Sequence, residues 1–103
     1  MASNIEKFNA SGSKIVYEGI EINLKPMTVR EQAKFAELVK KEQMDSALQF
    51  IFVCALKSHD PTFTEDEILS IRNPKFFSEV VEPYLELHGI KLKGKEENFQ
   101  QSN

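Results

Sequence analysis

The strongest constraint on the fold lies in residues 24–56, LKPMTVREQAKFAELVKKEQMDSALQFIFVCAL. An extended segment leaves through Lys25-Pro26, a helix opens at Thr28, and a second, almost wholly apolar helix follows at once. A helix that is apolar on all sides must be buried on all sides. No paired carboxylates, metal-ligand cluster or phosphate loop interrupt the stretch. The pattern therefore indicates a packed binding domain whose partner the residues do not identify, and it argues against a catalytic pocket.

Length and charge narrow the class of protein. A chain of 103 residues corresponds to one domain. Its net charge of −3 argues against a nucleic-acid binder, which usually carries a basic face. The single cysteine, Cys54, cannot form an internal disulfide, and the N-terminus lacks the apolar core of a signal peptide. The longest apolar run, residues 50–56, is far shorter than the ~20 residues of a membrane span. We therefore expect a cytoplasmic protein without nucleic-acid or membrane partners.

A β-hairpin is predicted after a polar arm at residues 1–13. Ile15 and Tyr17 precede a turn at Glu18-Gly19, and after it Ile20, Ile22 and Leu24 alternate with Glu21 and Asn23, which is the pattern of two short strands. Pairing across that turn sets Tyr17 opposite Ile20 and Ile15 opposite Ile22, all on one face. Because a lone hairpin is marginal in water, this face is expected to pack on the helices or on another subunit.

Two helices follow the hairpin. The sequence Thr28-Val29-Arg30-Glu31 is a capping box, and the helix that it starts is predicted to run to about Gln43. One stripe of this first helix is apolar, formed by Val29, Ala33, Phe35, Ala36, Leu38 and Val39. Asp45 is the predicted N-cap of the second helix, Ser46 to about Ser58. Either the other elements or a partner must cover this apolar helix.

Two further helices complete the predicted domain. A second capping box starts a short helix at residues 65–71, and Asn73-Pro74 starts the last helix, which Gly89 ends. Pro83 is expected to kink or split that helix. The sequence thus predicts an α+β domain over residues 14–90, in which the N-terminal hairpin packs on about four helices. Residues 91–103 are predicted to be a disordered polar tail.

Residues with catalytic potential fit structural roles better. Cys54 lies among apolar neighbours, where a thiol is buried and unreactive. His59 and His88 stand near helix C-termini, where a cation interacts favourably with the helix dipole. The acidic run DPTFTEDE lacks the glycine and ligand order of a calcium loop. We therefore predict no enzymatic activity, no cofactor, no metal and no small-molecule substrate.

The last helix carries more apolar residues than one face can bury. They are Phe76, Phe77, Val80, Val81, Tyr84, Leu85 and Leu87. A surplus of this kind, when it reaches the surface, marks a protein interface, and aromatic residues are enriched at such interfaces. The predicted protein-binding residues are Phe76, Phe77, Val81 and Tyr84.

Three segments carry a family resemblance: INLKPMTVREQAKFAELVKKE, MDSALQFIFVCALKSHDPTFTEDEILSI and NPKFFSEVVEPYLELHGI. Over residues 20–90 the chain resembles the tail assembly chaperones of long-tailed bacteriophages and prophages. The resemblance implies a mixed α and β protein that is not an enzyme and that self-associates as a homo-oligomer. It also implies binding to the long, hydrophobic tape measure protein, which is kept soluble before the tail tube polymerises around it.

Three other interpretations remain open at this stage. The chain could be a structural tail component, such as a connector or tube-associated protein. It could be a different protein–protein adaptor, such as a secretion chaperone. A small enzyme using Cys54 or His59 is the third.

Overall fold

The computed structural model describes residues 11–90 and shows the predicted α+β fold. Its elements are β1 (Ser13–Tyr17), β2 (Ile20–Leu24), α1 (Val29–Lys40), α2 (Met44–His59), α3 (Glu65–Leu69) and α4 (Pro74–Leu87). The strands form a two-stranded antiparallel sheet. Since β1 begins at Ser13, the strand includes the last residue of the predicted arm. The rest of that arm up to residue 10 and the predicted tail at residues 91–103 lie outside the described residues.

The predicted hairpin register is confirmed. Tyr17 pairs with Ile20, and Ile15 pairs with Ile22. Glu18 and Gly19 have φ angles of 49° and 84°, both positive, as a tight type I′ turn requires. The inner face of the hairpin packs against α2 and α4, where Ile22 is buried. This packing supplies the support that an isolated hairpin lacks.

The predicted capping box starts α1. The Thr28 side chain accepts a hydrogen bond from the Glu31 N–H at 3.1 Å, and the Glu31 carboxylate accepts one from the Thr28 N–H at 2.9 Å. The helix ends at Lys40, before the predicted Gln43. Glu42 is left-handed there, with φ 60°, and the N–H groups of Glu42 and Gln43 donate to carbonyls in the last turn. None of the apolar residues of α1 is fully buried.

The central helix of the fold is α2, which packs against β2, α1, α3 and α4. Its buried residues are Ala47, Ile51, Phe52, Cys54, Ala55 and Leu56. The surrounding elements therefore cover this apolar helix, as the sequence required. The prediction that Asp45 caps it is wrong: the N-cap is Gln43, which makes no capping hydrogen bond with its side chain. Asp45 lies in the first turn, where its carboxylate interacts favourably with the helix dipole.

The short helix α3 ends at Leu69, two residues before the predicted end. At the start of α4, the Asn73 side chain accepts the Phe76 N–H at 3.0 Å, so the predicted cap is confirmed. Pro83 does not split α4, which continues to Leu87. Gly89, with φ 73°, follows the helix as the predicted stop.

Candidate binding surface

Two of the four predicted binding residues lie in the core. Val81 is 3% exposed and Tyr84 is 0% exposed. The Tyr84 hydroxyl donates to the Lys25 carbonyl at 2.6 Å, which ties α4 to the segment after β2. Because α4 packs on both α2 and β1, these two elements together cover more of its surface than a single helical stripe. Val81 and Tyr84 therefore contribute to stability and are not accessible to a partner in this conformation.

Phe76 and Phe77 are half-buried and line two different depressions. The Phe52 ring lies between them, with centroid distances of 5.9 Å to Phe76 and 4.9 Å to Phe77. Such aromatic contacts hold the rings in fixed orientations. Each phenylalanine therefore offers a rigid apolar wall to the depression that it lines.

The first depression, which we call the hairpin pocket, lies between the hairpin and the helices. It is lined by Tyr17, Ile20, Ile22, Leu56, His59, Phe63, Ile71 and Phe76. Its volume of about 230 Å³ is below the ~300–1,000 Å³ of sites for drug-sized ligands. Ile20 is 63% exposed although it lies on the inner face of the hairpin. The pocket therefore suits a single apolar side chain of a partner, with Ile20 at its edge.

The second depression, the helix groove, has a volume of about 600 Å³ and lies where α2, α3 and α4 meet. It is lined by Asp45, Leu48, Gln49, Phe52, Ile68, Leu69, Ile71, Arg72, Asn73, Pro74 and Phe77. Buried and half-buried apolar side chains form its floor, whereas the exposed Asp45, Gln49 and Arg72 provide polar groups at its margin. An apolar floor with a polar margin is the usual anatomy of a protein interface.

Ile71 lines both depressions, so they adjoin across the connection between α3 and α4. Ile71 is 41% exposed and Leu69, in the helix groove, is 42% exposed. We call the hairpin pocket and the helix groove together the composite apolar surface. Sequence reasoning missed Ile20, Leu69 and Ile71. The period-two pattern did place Ile20 on the inner face, but did not show that the helices fail to cover this end of the hairpin.

The side chains with catalytic potential are held in structural roles. Burial raises the pKa of the Cys54 thiol to about 12, and the nearby Glu31 carboxylate adds to the effect. Little thiolate can form there near neutral pH. His59 and His88 accept hydrogen bonds from backbone N–H groups of Asn23 and Met27. In residues 11–90, no three or more His, Cys, Asp or Glu side chains are grouped to hold a metal ion.

No helix in the described part of the chain has the length and apolar character needed to cross a membrane. Comparison with protein family models, curated proteins and solved structures gave no match for the chain. The composite apolar surface and the family resemblance of residues 20–90 are therefore the features from which a function can be inferred.

Proposed function

We propose that this protein is a tail assembly chaperone of a long-tailed bacteriophage or prophage. It acts in the cytoplasm of the host bacterium, without catalysis, and self-associates as a homo-oligomer. It binds the hydrophobic tape measure protein and keeps that protein soluble before the tail tube assembles. The observation that carries the proposal is the pair of adjoining apolar depressions that share Ile71.

The shape of the composite apolar surface favours an apolar helix as its occupant. Helices that dock on apolar grooves insert side chains spaced three, four or seven residues apart. One such side chain would fill the hairpin pocket, and its neighbours would lie on the floor of the helix groove. Asp45 and Arg72 offer one charge of each sign to polar groups of the client. The net charge of −3 supports the solubility of the complex.

The test is co-expression with an apolar central segment of the tape measure protein encoded near this chain. Ile20→Asp and Ile71→Asp each place a carboxylate in the hairpin pocket. Burial of an isoleucine contributes about 1.5–3 kcal/mol, and 1.4 kcal/mol corresponds to tenfold in affinity. We therefore expect each variant to lower the affinity tenfold or more, measured as co-purified client and soluble client yield.

Val16→Asp is the matched control. Val16 is 59% exposed on the same hairpin, but it lies between Ile15 and Tyr17 and so points to the opposite face of the sheet. Its substitution should leave client binding unchanged. Unchanged binding by both Ile20→Asp and Ile71→Asp would overturn the proposed surface. A client that stays soluble without this protein, together with the presence of the protein in purified particles, would favour a structural tail component.

A further inference from the structure

Two histidines bind the backbone of strand β2 and of the segment that joins it to α1. The Asn23 N–H donates to His59 Nδ1 at 3.0 Å, and the Met27 N–H donates to His88 Nε2 at 2.7 Å. The other ring nitrogen of His88 lies 2.7 Å from the Tyr84 carbonyl oxygen. A carbonyl oxygen can only accept, so His88 Nδ1 carries the proton and Nε2 is a bare acceptor. Both contacts thus require an unprotonated ring nitrogen.

We propose that His59 and His88 form an acid-sensitive clasp, in which two hydrogen bonds help to seat the hairpin on the helices while both imidazoles are neutral and are lost when the imidazoles are protonated. A protonated imidazole has two N–H donors and no acceptor. On protonation, each histidine would therefore direct an N–H toward the backbone N–H that it now binds. Each of the two contacts then changes from attraction to repulsion.

The position of the clasp determines what it controls. His59 ends α2 and lines the hairpin pocket, whose opposite wall includes Ile20 and Ile22 of the hairpin. Release of Asn23 would loosen that wall, because a two-stranded hairpin has little stability of its own. The consequence for client binding rests on the proposed function. The effect of imidazole protonation on the hairpin itself is independent of the proposed function.

Three further contacts hold the segment between β2 and α1, and they do not titrate near neutral pH. The Lys25 N–H donates to Ser58 Oγ at 3.0 Å, the Lys25 carbonyl accepts from Tyr84, and the Gln32 side chain donates to the Met27 carbonyl at 3.1 Å. These contacts should keep the segment near α1, α2 and α4 in acid. We therefore expect local release of the hairpin before global unfolding.

The charged and titratable neighbours of the two histidines differ. Asp60 follows His59 directly, and hydrogen bonds from Thr62 lower the pKa of the Asp60 carboxyl, so its charge persists in mild acid. Tyr17 is the other titratable residue of the hairpin pocket. Tyr84 packs against the His88 ring, and Lys40 shares a groove with it.

Native-state hydrogen exchange followed by NMR tests the clasp. The open state binds a proton at each histidine that the clasped state excludes, so stability of the clasped state falls as pH falls. When the pH is lowered from about 7.5 to 5.5, the protection factors of the Asn23 and Met27 amides should fall. The limiting slope is about tenfold per pH unit for each histidine. The Ile51 amide, in the centre of α2, is the internal control and should keep its protection.

Two variants replace the ring acceptors with acceptors that do not titrate. His59→Asn places an amide oxygen near the Nδ1 position, and His88→Gln places one near the Nε2 position. In the doubly substituted protein, protection at Asn23 and Met27 should not change over the same pH range. Equal acid sensitivity in the wild type and the double variant would overturn the proposal. Unchanged wild-type protection, or equal loss at Ile51, would do so as well. None of these readouts depends on a client.

Discussion

Replacement of Tyr84 by phenylalanine separates a structural role from a binding role. Tyr84 is fully buried, and its hydroxyl donates to the Lys25 carbonyl at 2.6 Å. The substitution keeps the ring and its packing but removes the donor, which leaves the carbonyl without this partner. The loss of such a hydrogen bond destabilises a protein by about 1–2 kcal/mol, because the remaining group is desolvated. For a domain of this size, about 1 kcal/mol lowers Tm by roughly 4–8 °C.

The assay is urea and thermal denaturation followed by far-UV circular dichroism. Tyr17→Phe is the matched control, since its hydroxyl contacts the Asn73 side chain at a longer 3.2 Å and Tyr17 is only half-buried. We expect a clearly smaller loss of stability there. A Tyr84→Phe variant with unchanged stability and weakened client binding would refute the reasoning, because Tyr84 would then act at a surface and not as a buried support.

Two predictions concern the buried ionisable groups. Because burial raises the pKa of Cys54 to about 12, a thiol reagent should label the protein rapidly in urea and only slowly in native buffer. Rapid labelling of the native protein would contradict the burial of Cys54 between the helices. Burial also raises the pKa of Tyr84. Both groups therefore stay protonated to a higher pH in the folded state than in the unfolded state, where Cys54 and Tyr84 ionise near pH ~8.5 and ~10. Their contribution to stability is complete below those values and is lost as pH rises above them. Denaturation midpoints that stay constant from about pH 8 to 11 would contradict this sign.

The parts of the fold that the sequence predicted well depend on local chemistry. The register of the hairpin follows from a two-residue turn and an alternating pattern, and each capping box joins residues only three apart. The end of α1 was missed for a physical reason. Its stop is Glu42 in a left-handed conformation, which glycine or asparagine usually adopts at this position. No residue type at that point signalled a helix end.

The candidate surface depends on long-range packing, which a single sequence does not contain. Helical periodicity places Val81 and Tyr84 in the apolar part of α4, but it does not reveal that β1 covers one side of that helix while α2 covers the other. Conversely, Ile71 was predicted to lie inside the third helix. The structure ends α3 at Leu69, which leaves Ile71 in the connection between the two depressions.

Pro83 shows how packing overrides a local preference, and the reasoning can be tested by Pro83→Ala. Proline in a helix interior costs about 3 kcal/mol relative to alanine, yet α4 continues through it with the fully buried Val80 and Tyr84 on either side. Alanine restores a backbone donor to the Glu79 carbonyl. Against this gain stand the lost rigidity of the unfolded chain, about 0.4–1 kcal/mol, and the contacts of the half-buried ring.

We expect Pro83→Ala to stabilise the protein by about 1–2 kcal/mol, after these losses are subtracted from the gain in helix propensity. Thermal denaturation measures the change, and Glu82→Ala, an exposed neighbour on the same helix, should stay within about 0.5 kcal/mol of the wild type. A destabilised Pro83→Ala variant would contradict the expectation. It would mean that the contacts of the proline ring in the groove that it forms with Ile15 and Tyr17 contribute more than the missing hydrogen bond costs.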